Sequence, residues 1–203
     1  MYKEISEELL DSIYKKHIVQ LNNIDVKQPK LIITFSGIQA SGKTTISKKL
    51  EKDFNCVRVN NDDVRLIIAD MLPDISRAQL QTILQSYGSY ISEKLSKRLN
   101  GRLIMDGSVD HRFEAVKALA DNLDCPLFII RLEVPYEELK RRISNRNNFD
   151  DSALLKSDLL KEYYENYERS LDKFKPNVTI DAGNGIDYPV IQKALSDYIT
   201  NSA

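Results

Sequence analysis

Cysteine is scarce in this sequence, which has only Cys56 and Cys125 among its 203 residues. The two lie far apart in apolar surroundings, so we expect buried, reduced thiols and no disulfide framework. No apolar run is long enough to span a membrane, and the first residues lack the apolar core of a signal peptide. These absences predict a cytoplasmic protein that does not associate with membranes.

An excess of charge of either sign is also missing. Lysine and arginine number 29, aspartate and glutamate number 30, and the net charge is -1. This balance provides no global electrostatic reason to bind nucleic acid, although a local basic groove is compatible with it. With 42% apolar residues and no visible repeat, the chain is predicted to form one compact α/β domain over residues 1–203.

The most informative segment is Gly37-Ile38-Gln39-Ala40-Ser41-Gly42-Lys43-Thr44, which matches G-x-x-x-x-G-K-[ST]. It follows the apolar run 31–35 and precedes a helical pattern, which is the context of a phosphate-binding loop. Its glycines permit a tight turn, and successive N–H groups at a helix N-terminus form a cradle for anions. Lys43 is predicted to face the β- and γ-phosphates and Thr44 to ligate Mg²⁺. The predicted ATP-binding loop therefore runs from Gly37 to Thr45.

Acidic residues follow the second predicted strand, 56–60, in the segment Asn61-Asp62-Asp63-Val64-Arg65. The carboxyl ends of parallel strands carry the ligand chemistry, so this segment shares an edge of the sheet with the phosphate-binding loop. An aspartate there can take a proton from an attacking hydroxyl or bind Mg²⁺ through water. The alternative is an aspartate N-cap pair on a helix over 62–72. Arg65 lies one turn further on, where it can hold an anionic acceptor or the transferring phosphoryl group.

A second magnesium candidate ends the third predicted strand, 102–106. An apolar run followed by Asp106 is typical of an aspartate that holds Mg²⁺ or its water shell. No N-K-x-D element follows the fourth strand, 127–134, where a GTPase would carry its guanine reader. The predicted ligands are therefore ATP and Mg²⁺, with Thr44 and Asp106 at the metal.

Arginines mark the helix after the fourth strand. Arg142 and Arg146 are four residues apart on one face, and a break of Asn and Asp residues follows. This pattern predicts a lid over about 136–150 whose guanidiniums neutralise charge on the phosphoryl group in transfer, with a solvated basic face as the alternative. A helix over 152–174 is predicted next, with Leu159, Tyr163 and Tyr167 among the residues of its buried side.

The N-terminal residues 4–23 show the apolar pattern of an amphipathic helix, in an extension over 1–29 that precedes the first strand. His17 lies on the apolar side and is predicted to be a packed core residue. The helix either covers a hydrophobic surface of the domain or docks a protein partner.

Together the phosphate-binding loop, the segment 61–65, the Asp106 strand and the segment 134–142 resemble the P-loop kinases, and in particular the polynucleotide-kinase and zeta-toxin-like group. The resemblance covers about residues 30–183. It implies an α/β P-loop NTPase fold of three αβα layers, with a five-stranded parallel sheet in the order 2-3-1-4-5.

The resemblance also implies roles for individual residues. Asp62 would be the general base toward an acceptor hydroxyl and Arg65 the arginine on the substrate side. Arg142 and Arg146 would belong to the lid, and Gly183 to the loop that touches adenine. The implied activity is transfer of the γ-phosphate of ATP to a hydroxyl of a small molecule, a nucleotide-sugar or a nucleic-acid end. The alternative is a P-loop ATPase or nucleotide switch that a partner protein regulates.

Overall fold

The computed structural model describes residues 5–98, 101–145 and 159–202. Its centre is a sheet of five parallel strands in the order β2-β3-β1-β4-β5. The strands are β1 Leu31–Ser36, β2 Val57–Asn60, β3 Arg102–Ser108, β4 Leu127–Glu133 and β5 Val178–Asp181. The predicted strand order is confirmed. Because β1 is central and buried at every residue, the loop that follows it lies in the middle of the carboxyl edge of the sheet.

Eight α-helices cover the two faces of the sheet in the described part of the chain. They are α1 Glu7–Gln20, α2 Lys43–Asp53, α3 Asn61–Met71, α4 Arg77–Arg98, α5 Phe113–Asn122, α6 Tyr136–Ser144, α7 Leu159–Ser170 and α8 Tyr188–Ser202, with a 3-10 turn at Leu171–Lys173. One core cluster joins the sheet to α2, α6, α7 and α8, and a second joins it to α1, α3, α4 and α5. The fold therefore has three αβα layers, as predicted. In the same described residues, no helix is both long and apolar enough to cross a membrane.

The N-terminal helix covers the second core cluster. The Ser6 side chain caps α1 by accepting a hydrogen bond from the Leu9 N–H, and Leu10 and Ile13 are buried. His17 is also buried, with its Nδ1 atom 2.8 Å from the Tyr87 hydroxyl of α4. His17 is thus a packed core residue, as predicted, and α1 covers a hydrophobic surface. Docking of a protein partner at α1 stays a prediction.

The prediction for α7 was correct for Tyr167 but wrong for Leu159 and Tyr163, which belong to the predicted buried side. Leu159 and Tyr163 are exposed, whereas Leu160 and Tyr167 are buried against the first core cluster. Both rows of this helix are apolar at helical spacing, so periodicity alone cannot select the row that faces the sheet. The cysteines are free, with Cys56 buried and Cys125 partly exposed.

Candidate active site

The phosphate-binding loop joins β1 to α2 through an unusual backbone conformation. Gly37 has φ 141°, and a Cβ atom there would come within 2.8 Å of the Leu132 carbonyl oxygen of β4. Gly42 has φ 103° and is the N-cap of α2, while Ala40 has φ 67° although it is not glycine. Such a conformation at a non-glycine residue is costly and is typical of ligand sites. The N-terminal N–H groups of α2 thus open onto this loop, which suits them to bind phosphate.

Side chains of the loop divide into a buried and an exposed set. Ile38, Ala40 and Ser41 are buried, so they would meet a nucleotide through their backbone, whereas Thr44 and Thr45 are exposed. The Lys43 ammonium lies across the loop and donates to the carbonyl oxygens of Gly37 at 2.8 Å and Ile38 at 2.6 Å. The lysine charge therefore sits at the loop itself, as a phosphate-binding role requires.

A buried carboxylate that sequence reasoning missed supports the start of this loop. Asp110, between β3 and α5, accepts from the Gly37 N–H at 2.9 Å and from the Ser36 hydroxyl at 2.6 Å. The Ser108 hydroxyl also donates to it, and Arg131 of β4 donates to the Ser36 oxygen at 3.4 Å. The aspartate ties the ends of β1 and β3 together. Nothing in the local sequence indicates that Asp110 reaches back to β1.

The two predicted magnesium ligands are brought together. The Thr44 hydroxyl donates to Asp106 Oδ1 at 3.3 Å, and the Asp106 side chain is almost completely buried. A hydroxyl beside a carboxylate oxygen fits Mg²⁺, which takes few protein ligands and keeps waters and substrate phosphates in its other positions. Consistently, the described residues contain no group of three or more His, Cys, Asp or Glu side chains that could form an all-protein metal site.

Arg58 of β2 is a second residue that the sequence did not reveal as part of the site. It donates to Glu51 at 3.2 Å, to Asp63 at 3.0 Å and to Asp106 at 2.9 Å, and its side chain is 11% exposed. Burial opposes its charge, but the three carboxylates outweigh burial and raise the pKa of the guanidinium. The sequence did contain one indication of this role. Arg58 lies between Val57 and Val59 in a predicted strand, and a charged side chain that is buried there needs a counter-ion nearby.

Asp62 and Arg65 form an exposed pair at the start of α3. Arg65 Nη1 lies 2.6 Å from Asp62 Oδ1, and the side chains are 49% and 71% exposed, respectively. The alternative that an aspartate caps this helix was wrong. The helix begins at Asn61, one residue earlier than predicted, so the cap is Asn60, whose Oδ1 accepts from the Asp62 N–H at 2.6 Å.

Arg142 of α6 links the phosphate-binding loop to the loop after β5. Its guanidinium donates to the carbonyl oxygens of Ala40 at 3.4 Å and Gly183 at 3.2 Å, and also to Ala182. Glu138 anchors it from the same helix at 2.7 Å. Hydrogen bonds from Arg141 and Arg142 lower the pKa of Glu138 to about 2.

Gly183 therefore lies near the phosphate-binding loop, and its contact with adenine stays a prediction. A Cβ atom at Gly183 would come within 2.9 Å of Pro135 Cδ, so the close approach of this loop to the connection between β4 and α6 favours glycine. Buried Leu139 and Ile143 anchor α6 itself to the core. Arg146 and the rest of the predicted lid, 146–150, lie outside the described residues.

The sheet order, the loop geometry and the Thr44–Asp106 pair define a P-loop NTPase. Within that class the chain belongs to the AAA domain family, whose model matches residues 32–170. No curated protein matches the sequence significantly.

Solved structures of similar fold include kinases and a toxin–antitoxin system. A candidate kinase from Chloroflexus aurantiacus has a TM-score of 0.63 at 18% identity, covering 88% of this chain and 100% of its own. The PezAT toxin–antitoxin system of Streptococcus pneumoniae has a TM-score of 0.58 at 14% identity, covering 94% and 88%. Shikimate kinase from Acinetobacter baumannii in complex with shikimate has a TM-score of 0.51 at 17% identity, covering 88% and 96%. At these identities the likeness establishes the fold.

Proposed function

We propose that this protein is an ATP-dependent kinase that transfers the γ-phosphate of ATP to a hydroxyl group of an acceptor. The observation that carries the proposal is the exposed Asp62–Arg65 pair on the carboxyl edge of the sheet, which also carries the phosphate-binding loop. A hydroxyl acceptor requires a base on its side of the site, whereas hydrolysis by a nucleotide switch does not require one there. The similarity to kinases, among them one solved with a hydroxyl-bearing acceptor, supports the same activity.

The nucleotide would bind along the loop from Gly37 to Thr45. Loop N–H groups and Lys43 would hold its phosphates, and Thr44 and Asp106 would hold Mg²⁺, which supplies positive charge at the phosphate oxygens. The loop at Gly183, which Arg142 holds against Ala40, would contact the adenine. These groups come from the segments that follow β1 and β5, from β3 and from α6.

The acceptor would bind between Asp62 and the phosphates. Asp62 would take the proton of the acceptor hydroxyl as its oxygen attacks the γ-phosphorus, and the bond from that phosphorus to the β–γ bridging oxygen would break to release ADP. Arg65 would orient Asp62 and contact the acceptor. Arg142, together with Arg146, would stabilise the charge that develops toward the bridging oxygen.

Asp62 suits the role of base better than Asp63 does. The Asp63 carboxylate accepts a hydrogen bond from the mostly buried Arg58, whereas Asp62 is open to solvent.

Both the reduced thiols and the use of ATP suit a cytoplasmic location.

The test is to follow γ-labelled ATP with the purified protein and a panel of acceptors. The panel should contain nucleosides, nucleotide-sugars, small hydroxy acids and 5′-hydroxyl oligonucleotides. We expect label on one acceptor class, and we expect Asp62→Asn to slow that transfer strongly while ATP still binds. Label that is found only in free phosphate, at a rate that no acceptor changes, would favour the ATPase or switch instead.

A further inference from the structure

The amide of Asn60 connects the magnesium carboxylate to the helix that carries the proposed base. Asn60 ends β2, and its side-chain nitrogen donates to Asp106 Oδ2 at 2.8 Å. Its side-chain oxygen accepts from the Asp62 N–H at 2.6 Å, and the residue is only 5% exposed. A carboxylate can only accept and an N–H can only donate, so just one orientation of the amide satisfies both neighbours.

Arg58 reinforces the same connection. Its Nη1 donates to the oxygen of Asp106 that Asn60 also contacts, and its Nη2 donates to Asp63 of α3. Arg58 and Asn60 both hold Asp106 Oδ2. The other oxygen, Oδ1, therefore faces the Thr44 hydroxyl at 3.3 Å. Two donors on one oxygen thus determine which oxygen points toward the predicted metal.

We propose that Asn60 and Arg58 are positioning residues that couple the magnesium site to the first turn of α3. They orient Asp106 toward Thr44 and attach Asp62 and Asp63 to the same carboxylate. Filling the metal site would therefore make the start of α3 more rigid and place the base when nucleotide and metal are bound. The inference rests on the proposed function, because it assigns Mg²⁺ to Thr44 and Asp106 and the base to Asp62.

The variant that isolates this role is Asn60→Ser. Serine keeps a good N-cap for the Asp62 N–H but cannot reach Asp106, and it adds no charge. We expect the Mg²⁺ concentration that half-saturates binding of a non-hydrolysable ATP analogue to rise about tenfold, which is the effect of losing one hydrogen bond to a charged group. Affinity for the same analogue in EDTA should stay within twofold. The matched control is Asn61→Ser, at an exposed neighbouring position.

The second measurement is hydrogen exchange, which, like the binding measurement, does not depend on catalytic turnover. In the wild-type protein, hydrogen exchange over residues 61–66 should slow when Mg²⁺ is added to the analogue complex, and Asn60→Ser should remove that change. Arg58→Lys, which keeps the charge but cannot bridge Asp63 and Asp106 with a planar fork, should weaken it. This variant also serves if the serine variant does not fold.

Two outcomes would overturn the inference. One is an unchanged Mg²⁺ dependence in Asn60→Ser, whatever its Tm, because the contact of Asn60 with Asp106 would then at most stabilise the fold. The other is exchange over 61–66 in the wild-type protein that does not respond to Mg²⁺. Neither measurement contains an acceptor, so a protein that hydrolyses ATP without transfer can still show the coupling. Failure of the proposed kinase activity is thereby distinguished from failure of this inference.

Discussion

Asp62 and Asp63 are adjacent in the chain but lie in different surroundings. Asp62 projects from the first turn of α3 into solvent and pairs with Arg65, one turn further along the helix. Asp63 turns toward β2, where Arg58 donates to it at 3.0 Å. A base must reach a substrate that enters from solvent. Both side chains are carboxylates, so the greater exposure of Asp62 is what favours it as the base.

The corresponding prediction is that Asp62→Asn leaves ATP binding nearly unchanged and lowers the rate of transfer roughly 10²–10⁴-fold, the usual contribution of a general base. The amide keeps the size of the side chain and its contact with Arg65 but cannot take the proton. Asp63→Asn is the matched control, which weakens the ion pair with Arg58 and should lower the rate far less. Steady-state kinetics with the acceptor found in the screen would measure both. The reverse order of effects would assign the base to Asp63.

Among the elements of the site, α6 offers two arginines that share one glutamate. Arg141 and Arg142 both donate to Glu138, but only Arg142 also reaches the carbonyl oxygens of the phosphate-binding loop and of Gly183. The Arg141 side chain is exposed. Arg141 can therefore serve as the control for variants of Arg142, because both lie on α6 and Arg142 is the one beside the predicted nucleotide site.

We expect Arg142→Ala to lower kcat roughly 10²–10³-fold, comparable to removing one preorganised donor from a transition state. Arg142→Lys should recover only part of the rate, because an ammonium cannot bridge two oxygens with a planar fork. Arg141→Ala should change kcat little. Initial rates over a range of ATP concentrations separate the effects on kcat and KM. A raised KM for ATP with kcat unchanged would limit Arg142 to nucleotide binding.

The contact of α1 with α4 predicts a dependence of stability on pH. Burial lowers the pKa of His17, while Asp63 opposes this and Arg58 adds to it. The fold therefore favours the neutral ring, so the stabilisation is complete above the ordinary histidine pKa of about 6.5 and is lost as pH falls through the lowered value.

Tm should accordingly fall between pH 7 and pH 5.5, and His17→Phe should reduce that fall whatever its effect on Tm at pH 7. The sequence has 2 histidines, so His111→Gln, at the exposed position, is the matched control and should keep the wild-type pH dependence. Thermal unfolding followed by circular dichroism would measure this. A fall in Tm that is equally steep in His17→Phe would assign it to carboxylates.

For the whole molecule, the sequence predicted the layers, the strand order and the meeting of Thr44 with Asp106. The meeting of Thr44 with Asp106 follows from local signals, namely a motif between strand and helix and the shared carboxyl edge of parallel strands. The layers and the strand order were implied by the resemblance to the P-loop kinases. The sequence did not predict Arg58, Asn60 or Asp110. Their partners lie on other strands or in other loops, and the contacts depend on register and side-chain direction. The exposure of Leu159 and Tyr163 on α7 was missed for the same reason, because packing against the sheet, and not apolar spacing alone, decides which residues are buried.

The position of the phosphate-binding loop leads to a prediction about the entire chain. The loop follows β1, the central strand, which contributes Ile33 and Phe35 to one core cluster and Ile32 to the other. Because β1 packs against both layers of helices, a ligand bound at the loop after β1 should stabilise both layers, so we expect residues 1–203 to unfold in one transition whose Tm the ligand raises. At about 100 times its dissociation constant, a ligand adds ~2.7 kcal/mol to the free energy of unfolding. For a chain of this size that corresponds to a rise in Tm of about 5–10 °C.

Differential scanning calorimetry with and without Mg²⁺ and a non-hydrolysable ATP analogue would measure that shift. Lys43→Ala should remove most of it, because the positive charge that is predicted to face the triphosphate is lost. Removing Mg²⁺ with EDTA should reduce it in the wild-type protein, because Thr44 and Asp106 would then make no contact with the nucleotide through the metal. Two transitions, only one of which responds to the analogue, would show that the layers unfold separately. An unchanged Tm together with unchanged calorimetric heats of mixing would contradict the assignment of this loop as the nucleotide site.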